Sequence, residues 1–312
     1  MIAPRCISFP AMGSACALHL YDAPTSVAVA AEAEVLRIEH RYSRYRPDSL
    51  LSQINRVAAV GGNLEVDDET AALLDFAFAC HRKSGGLFDV TTGILRRAWI
   101  FPGGPVPAPA EIDRWLPFVG LDKVRWDRPR LSFPVSGLEL DLGGIGKEYA
   151  ADQAATVCAE AGICHGLVDL GGDIRIIGPR PDGTPWTIHV RNPLSPGSSL
   201  AQIKLSSGGL ATSGDYERCL TDGNGRLGHI LNPRTGRPVQ GLSSVSVAAP
   251  SCLVAGGVAS IAMLKGSAGA DWLRGLGLSC LWAENNGQTG GTGDAFLLSD
   301  ETARDAERVP AN

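Results

Sequence analysis

The chain has no excess of positive charge, no CxxC pair, no low-complexity segment and no apolar run behind a basic start. Each absence narrows what it can be. A net charge of −5 over 312 residues argues against nucleic acid, whose binding needs a basic face to displace counterions. A small polyanion stays possible, because backbone N–H groups at a helix start bind phosphate without net positive charge. Residues 1–13 do not read as a secretory signal, so the expectation is a cytoplasmic protein. The eight cysteines are scattered, which in such a chain predicts buried thiols rather than disulfides.

Charge is missing altogether from Gly241 to Leu264, a stretch long enough on paper to cross a bilayer. Pro250 and several serines argue otherwise. Ser244–Ala249 alternates like a strand, Pro250 turns the chain, and a small-residue helix follows from Cys252 to Leu264. The prediction is a buried strand and helix.

What is present fits a globular protein, with 44% hydrophobic and 20% charged residues and a length that one core can still accommodate. A strand pair over 7–21 breaks at Met12-Gly13. An amphipathic helix over 26–42 places Val27, Ala31, Val35, Ile38 and Tyr42 on one face. A second helix runs over 68–83, with an Asp cap before it and Gly85-Gly86 after it. Five prolines between Phe101 and Pro117 mark a surface loop with one short helix. A strand over 138–142 leads through glycines into a helix over 148–161, with Ala150, Ala154, Val157 and Ala161 inward. Short strands follow at 166–170, 186–190 and 201–205. Strands interleaved with few helices indicate an α+β fold rather than a doubly wound sheet. Asp141-Leu-Gly-Gly recurs as Asp169-Leu-Gly-Gly, which raises the possibility of a duplicated half.

Two glycine blocks carry the chemistry. In Leu140–Asp152 a strand, three glycines and a helix start bring backbone N–H groups to face an anion. Glu148 after Lys147 excludes a P-loop, and the glycine spacing excludes a dinucleotide fingerprint. Gly166–Asp173 ends a strand in a carboxylate, two glycines and a second carboxylate. Both blocks also read as ordinary tight turns. Ala211–Gly214 and His229–Pro238 read as polar, glycine-bearing turns, and His229 is either a proton carrier or structural.

Taken in order, these pieces resemble the ApbE family of FAD:protein FMN transferases. The stretches are Met12-Gly-Ser14, Tyr42–Asn55, Gly86–Gly93 with Trp99, the Asp141 and Asp169 blocks, Ala211–Gly214 and His229–Pro238. They span roughly residues 8–298. The resemblance implies an ApbE-like (T-fold-like) α+β unit, with a mixed or antiparallel sheet and flanking helices over 8–300 and a tail over 301–312. It implies transfer of FMN from FAD to a target Thr or Ser with release of AMP. Met12, Tyr45, Leu87, Phe88, Asp89, Asp141, Lys147 and Ile230 are the implied FAD contacts. Packing and capping is the alternative for Tyr45 and Asp89.

The family also implies a Mg²⁺ ion on the pyrophosphate, held by a backbone carbonyl, here Gly144, and by an Asp and a hydroxyl one helical turn apart. Here Gly256 stands where the Asp is usual, and Ser260 keeps only the hydroxyl. No carboxylate occurs between Asp222 and Asp271, so no neighbour in that segment replaces it. Glu148, where Gly is frequent, and Asn232, where Asp is frequent, are further departures. Three readings follow: an active transferase with His229 taking the hydroxyl proton, a flavin-binding module that transfers poorly, and a flavin oxidoreductase. An aspartate added at 256 is expected to fit and to tighten Mg²⁺.

Overall fold

A computed structural model of the chain describes residues 3–298 apart from 196, 217 and 224. The expected tail over 301–312 lies outside the described residues. Strands β1 (Arg5–Ala11) and β2 (Ser14–Leu20) form a hairpin. Its two turn residues, Met12 and Gly13, have φ of 52° and 69°, the turn type whose twist matches the flanking strands. Helix α1 (Thr25–Tyr42) buries Ala31, Val35, Ile38 and Tyr42. Helix α2 (Leu50–Val60) starts on Ser49, whose side chain accepts the Ser52 N–H. After β3 (Asn63–Glu65), α3 (Asp68–Ser84) starts on Asp67 in the same way and stops at Gly85 in the left-handed conformation. The proline-rich stretch contains the expected short helix, α4 (Pro109–Trp115), followed by β4 (Arg125–Asp127) and β5 (Arg130–Ser132).

The chain continues through α5 (Gly146–Glu160), β6 (Gly166–Leu170), β7 (Asp173–Gly178), β8 (Trp186–Arg191) and β9 (Ser199–Leu205). Next come β10 (Gly209–Gly214), β11 (Cys219–Asp222) and β12 (Gly225–Gly228). The uncharged stretch becomes β13 (Leu242–Ala249) and α6 (Cys252–Leu264), as its pattern predicts. Helix α7 (Gly269–Arg274), β14 (Ser279–Glu284), β15 (Thr289–Thr292) and β16 (Phe296–Leu298) complete the described chain. Among the described residues no helix is long and apolar enough to cross a membrane.

These elements gather into two compact units. The first takes the described residues up to Glu39, those from Gly146 to Gly214, and those from Gln240 onward. Its centre is an eight-stranded antiparallel sheet in the order β1-β2-β6-β7-β10-β13-β14-β15. Helix α5 packs on β6 and β7, and α6 lies beside it on β10 and β13. A second sheet, β16-β9-β8, contributes Trp186 and Ile203 to a core with Leu167, Ile174, Ile176 and Leu210. Each such side chain, once buried, stabilises the fold by about 1.5–3 kcal/mol.

The second unit spans 40–145 and 215–239. It holds α2, α3 and α4 with the sheet β3-β5-β4 and the hairpin β11-β12. Ile94, Leu95, Trp99, Ile112, Val119 and Leu220 form its apolar centre.

Several expectations need correction. Residues 138–142 form no strand. The Asn55 side chain accepts the Leu140 N–H at 2.7 Å and donates to its carbonyl at 2.9 Å, while the Asp141 N–H goes to the Val90 carbonyl. A side chain thus replaces a strand partner. Ala211–Gly214 is the end of β10 rather than a turn. The inward side of α5 carries Ala151, Ala155 and Cys158 beside Ala150 and Ala154, and it leaves Ala161 exposed. The two Asp-Leu-Gly-Gly segments differ in structure, one entering a helix and the other turning a hairpin, so they mark no duplication. All eight cysteines are free, but Cys6 on the edge strand β1 and Cys164 between α5 and β6 are exposed, and Cys219 at the start of β11 is half-buried.

Candidate functional site

In the first unit the predicted Lys147 stands at the head of α5. Lys147 Nζ lies 2.7 Å from Asp173 Oδ2 at the start of β7. Asp173 is almost fully buried, and its other oxygen accepts the Thr212 N–H at 3.3 Å. Burial works against the Lys147 ammonium, but Asp173 and then Glu148 outweigh it and hold its pKa above the ordinary value. The side chain still reaches solvent, so a permanent positive charge stands at a helix N-terminus, where backbone dipoles favour the same anion.

Glu148 faces inward with Ala151, Ala155 and Cys158. It is 7% exposed, and its Oε2 has no hydrogen-bond partner. A Cβ added to Gly256 would meet Glu148 Cγ at 2.5 Å and Oε1 at 2.6 Å. The space that a side chain at 256 would need is therefore filled by Glu148. This corrects one expectation, since an aspartate at 256 has no room, and it adds that a carboxyl group approaches α6 from another helix. Burial first and Asp173 second push the Glu148 carboxyl up to about 8, with Lys147 opposing them.

One turn along α6 from Gly256, the half-buried Ser260 places Oγ 3.2 Å from Ser213 Oγ at the end of β10. Asp152 caps α6 by accepting the Cys252 and Leu253 N–H groups at 2.9 Å each. Among the described residues no three His, Cys, Asp or Glu side chains gather into a group that could hold a metal. Any cation here needs hydroxyls and ligand oxygens besides a carboxylate. Met12, half-buried in its turn, donates its N–H to Glu39 Oε1 at 2.8 Å. A positive φ is uncommon for a residue with a side chain, so the hairpin holds Met12 in place at some local cost.

The other predicted residues belong to the second unit. Tyr45 is 77% exposed. The Arg44 guanidinium donates to Tyr45 Oη at 2.8 Å, lies 4.9 Å from its ring centre and pairs with Asp141 Oδ2. Asp141 Oδ1 accepts the Gly143 N–H at 2.9 Å. Arg44 thus ties two predicted residues together, and the sequence reading passes over it although it lies inside the matching stretch Tyr42–Asn55. Its signal was available as the one cation between Ser43 and Tyr45.

Phe88 is buried, Leu87 is half-buried, and Gly144 is exposed with the Phe88 ring as its nearest neighbour. Asp89 works inside the protein. It is buried, one oxygen accepts from the Thr91 N–H and hydroxyl, and the other accepts the Leu121 N–H at 2.8 Å. Its carboxylate caps the turn, and only its backbone neighbours are left to meet a ligand. His229 is exposed, with Nδ1 3.2 Å from the Arg218 carbonyl oxygen. A carbonyl only accepts, so Nδ1 carries the hydrogen and Nε2 is the basic nitrogen. Ile230 is half-buried and its carbonyl accepts the Val239 N–H. Trp99 secures the same loop by donating to the Gly236 carbonyl at 2.8 Å. A cavity of about 410 Å³ in this unit, lined by Arg44, Arg56, Arg97, Trp115 and Glu139 among others, contains none of the predicted residues. We place the site on the paired and buried groups rather than on that hollow.

The model of the ApbE family matches residues 12–282. The chain is 30% identical to the FAD:protein FMN transferase of Haemophilus influenzae over 242 residues, covering 73% of this chain and 69% of that protein. It is 31% identical to the protein of the same description from Vibrio cholerae over 237 residues, covering 73% and 70%. Among solved structures, the ApbE protein of Thermotoga maritima superposes with a TM-score of 0.85 at 31% identity, covering 93% of this chain and 97% of that one. The flavin transferase ApbE of Vibrio cholerae gives a TM-score of 0.81 at 27% identity, covering 96% and 98%.

Proposed function

The chain belongs to the ApbE family, and we propose that it moves the FMN half of FAD onto a Thr or Ser hydroxyl of a target protein, releasing AMP. The observation that carries this reading is the Lys147–Asp173 pair at the head of α5, directly after the glycine block, in a chain matched by the family over most of its length. Lys147 is suited to a pyrophosphate oxygen, and Met12, Tyr45, Leu87 and Phe88 offer apolar surface to the flavin and adenine rings. Within the second unit, Arg44 holds Asp141.

In the transfer, the target hydroxyl oxygen bonds to the phosphorus on the riboflavin side. The bond from that phosphorus to the bridging oxygen breaks, and AMP departs with that oxygen. His229 Nε2 takes the hydroxyl proton. A divalent cation such as Mg²⁺, when bound, neutralises charge on the pyrophosphate. Within the first unit the donors present suit a hard cation: the Ser260 hydroxyl and a buried oxygen without a partner of its own beside α6. The poorly transferring alternative rests on the missing carboxylate at 256, and Glu148 brings a carboxyl group to that position. We take the described residues from 8 onward as one transferase domain. The unpaired cysteines support a reducing, cytoplasmic setting.

Incubation with FAD, Mg²⁺ and a candidate target should add one FMN group to the target by mass spectrometry and release AMP in equal amount. Bound FAD that yields neither product with any Thr- or Ser-bearing target would overturn the assignment. Tyr45→Ala is expected to weaken FAD binding by about 1–2 kcal/mol through loss of an aromatic platform. The thermal midpoint should not move, because the ring is mostly exposed. Unchanged affinity in a flavin fluorescence titration would remove Tyr45 from the site.

A further inference from the structure

We infer that Glu148 supplies, from helix α5, the carboxylate that helix α6 lacks at Gly256, and that with Ser260 it holds the divalent cation at the flavin pyrophosphate. The inference rests on the FAD-binding reading above and adds a ligand that no alignment of single positions would assign.

Three observations meet here. First, Glu148 is 7% exposed and its Oε2 has no partner. Buried carboxylate oxygens are almost always hydrogen-bonded, and a lone one is costly unless something else satisfies it. The adjacent Lys147 ammonium pairs with Asp173 and makes no hydrogen bond to that oxygen. Second, the three atoms nearest to a Cβ on Gly256 all belong to Glu148, at 2.5, 2.6 and 2.8 Å. The carboxyl group therefore occupies the position of an absent side chain on α6. Third, Gly256 and Ser260 are four residues apart on one helix, which puts them on the same face one turn apart. The Ser260 hydroxyl, close to Ser213, is the next donor along that face.

A hard dication takes oxygen ligands and prefers at least one anionic one, with phosphate oxygens and water completing its shell. A glutamate reaching across from α5 meets that need as well as an aspartate on α6 would. The two arrangements exclude each other, since any side chain at 256 collides with Glu148. The glycine and the glutamate are therefore a matched pair. If Glu148 served packing alone, an apolar residue would fill the same space without a stranded oxygen.

The test uses the full chain loaded with FAD, and Mn²⁺ as a paramagnetic probe. Titration followed by the loss of the free Mn²⁺ resonance should show binding to wild type and at least about tenfold weaker binding to Glu148→Gln, a near-isosteric change. FAD affinity without metal should be similar in the two proteins. Moving the carboxylate back, in the double variant Glu148→Gly with Gly256→Asp, should restore Mn²⁺ binding. Equal Mn²⁺ affinity in wild type and Glu148→Gln, with FAD bound by both, would overturn the inference and leave the transferase reading standing. Failure of wild type to bind FAD would overturn both.

Discussion

Replacing Lys147 by methionine should lower the stability of the protein by about 3–5 kcal/mol, the range found when one partner of a buried ion pair is removed. Methionine keeps the length and volume of the side chain, so the loss reports the charge. Asp173 is left almost fully buried with only the Thr212 N–H to satisfy it. The deficit should depend on pH in a definite sense. Burial already raises the Asp173 pKa above the ordinary carboxylate value, and Lys147 pulls it back. Without Lys147 it rises further. A carboxyl whose folded pKa exceeds its unfolded value favours the fold most when protonated, so the variant should approach wild type below about pH 4 and fall behind as pH rises. FAD affinity should drop as well, since the cation facing the pyrophosphate has gone. Lys147→Arg should retain part of both properties, while adding Asp173→Asn to Lys147→Met should recover stability but not FAD binding. Denaturant titrations at pH 4 and pH 8 with parallel FAD titrations decide. A variant as stable as wild type at pH 8 would show that the pair carries no structural weight.

The sequence made much of the frame legible because periodicity is local. The stripe in α1, the cap and stop of α3, and the strand–proline–helix reading of 241–264 each needed only neighbouring residues. The segment 138–142 did not follow, because its backbone partners are the Asn55 side chain and the Val90 carbonyl, which nothing nearby in sequence announces. At the site, Lys147 was readable from the glycine block, whereas its dependence on Asp173 was not. Glu148 and Gly256 are far apart in sequence, and taken singly they looked like two unrelated departures from the family. A hint was present: the helical period places Glu148 on the same inward side as Ala151, Ala155 and Cys158, where a charge is out of place unless it has work to do. Only the folded chain puts it against a glycine.

That juxtaposition reverses what the sequence alone suggests for Gly256→Asp. An added carboxylate should destabilise the protein, by about 2–4 kcal/mol in metal-free buffer at neutral pH. The new Cβ would start 2.5 Å from Glu148 Cγ, so the glutamate must leave its buried position or α5 and α6 must separate. Separation is opposed by the Asp152 cap, which fixes the start of α6 to the side of α5 through two backbone N–H groups. Two carboxyls would then share one dry space that already raises the pKa of the first. Glu148→Gly alone should cost about 1 kcal/mol from helix propensity, less the gain from removing an unsatisfied oxygen. If contact between the two side chains is the cause, the effects cannot add: the double variant should be more stable than Gly256→Asp, with a coupling energy of at least about 1 kcal/mol. Chemical denaturation of the four proteins completes the cycle. Additive losses, or a single Gly256→Asp variant no less stable than wild type, would mean that Glu148 yields its position freely, and the two residues would then have to be treated as independent changes.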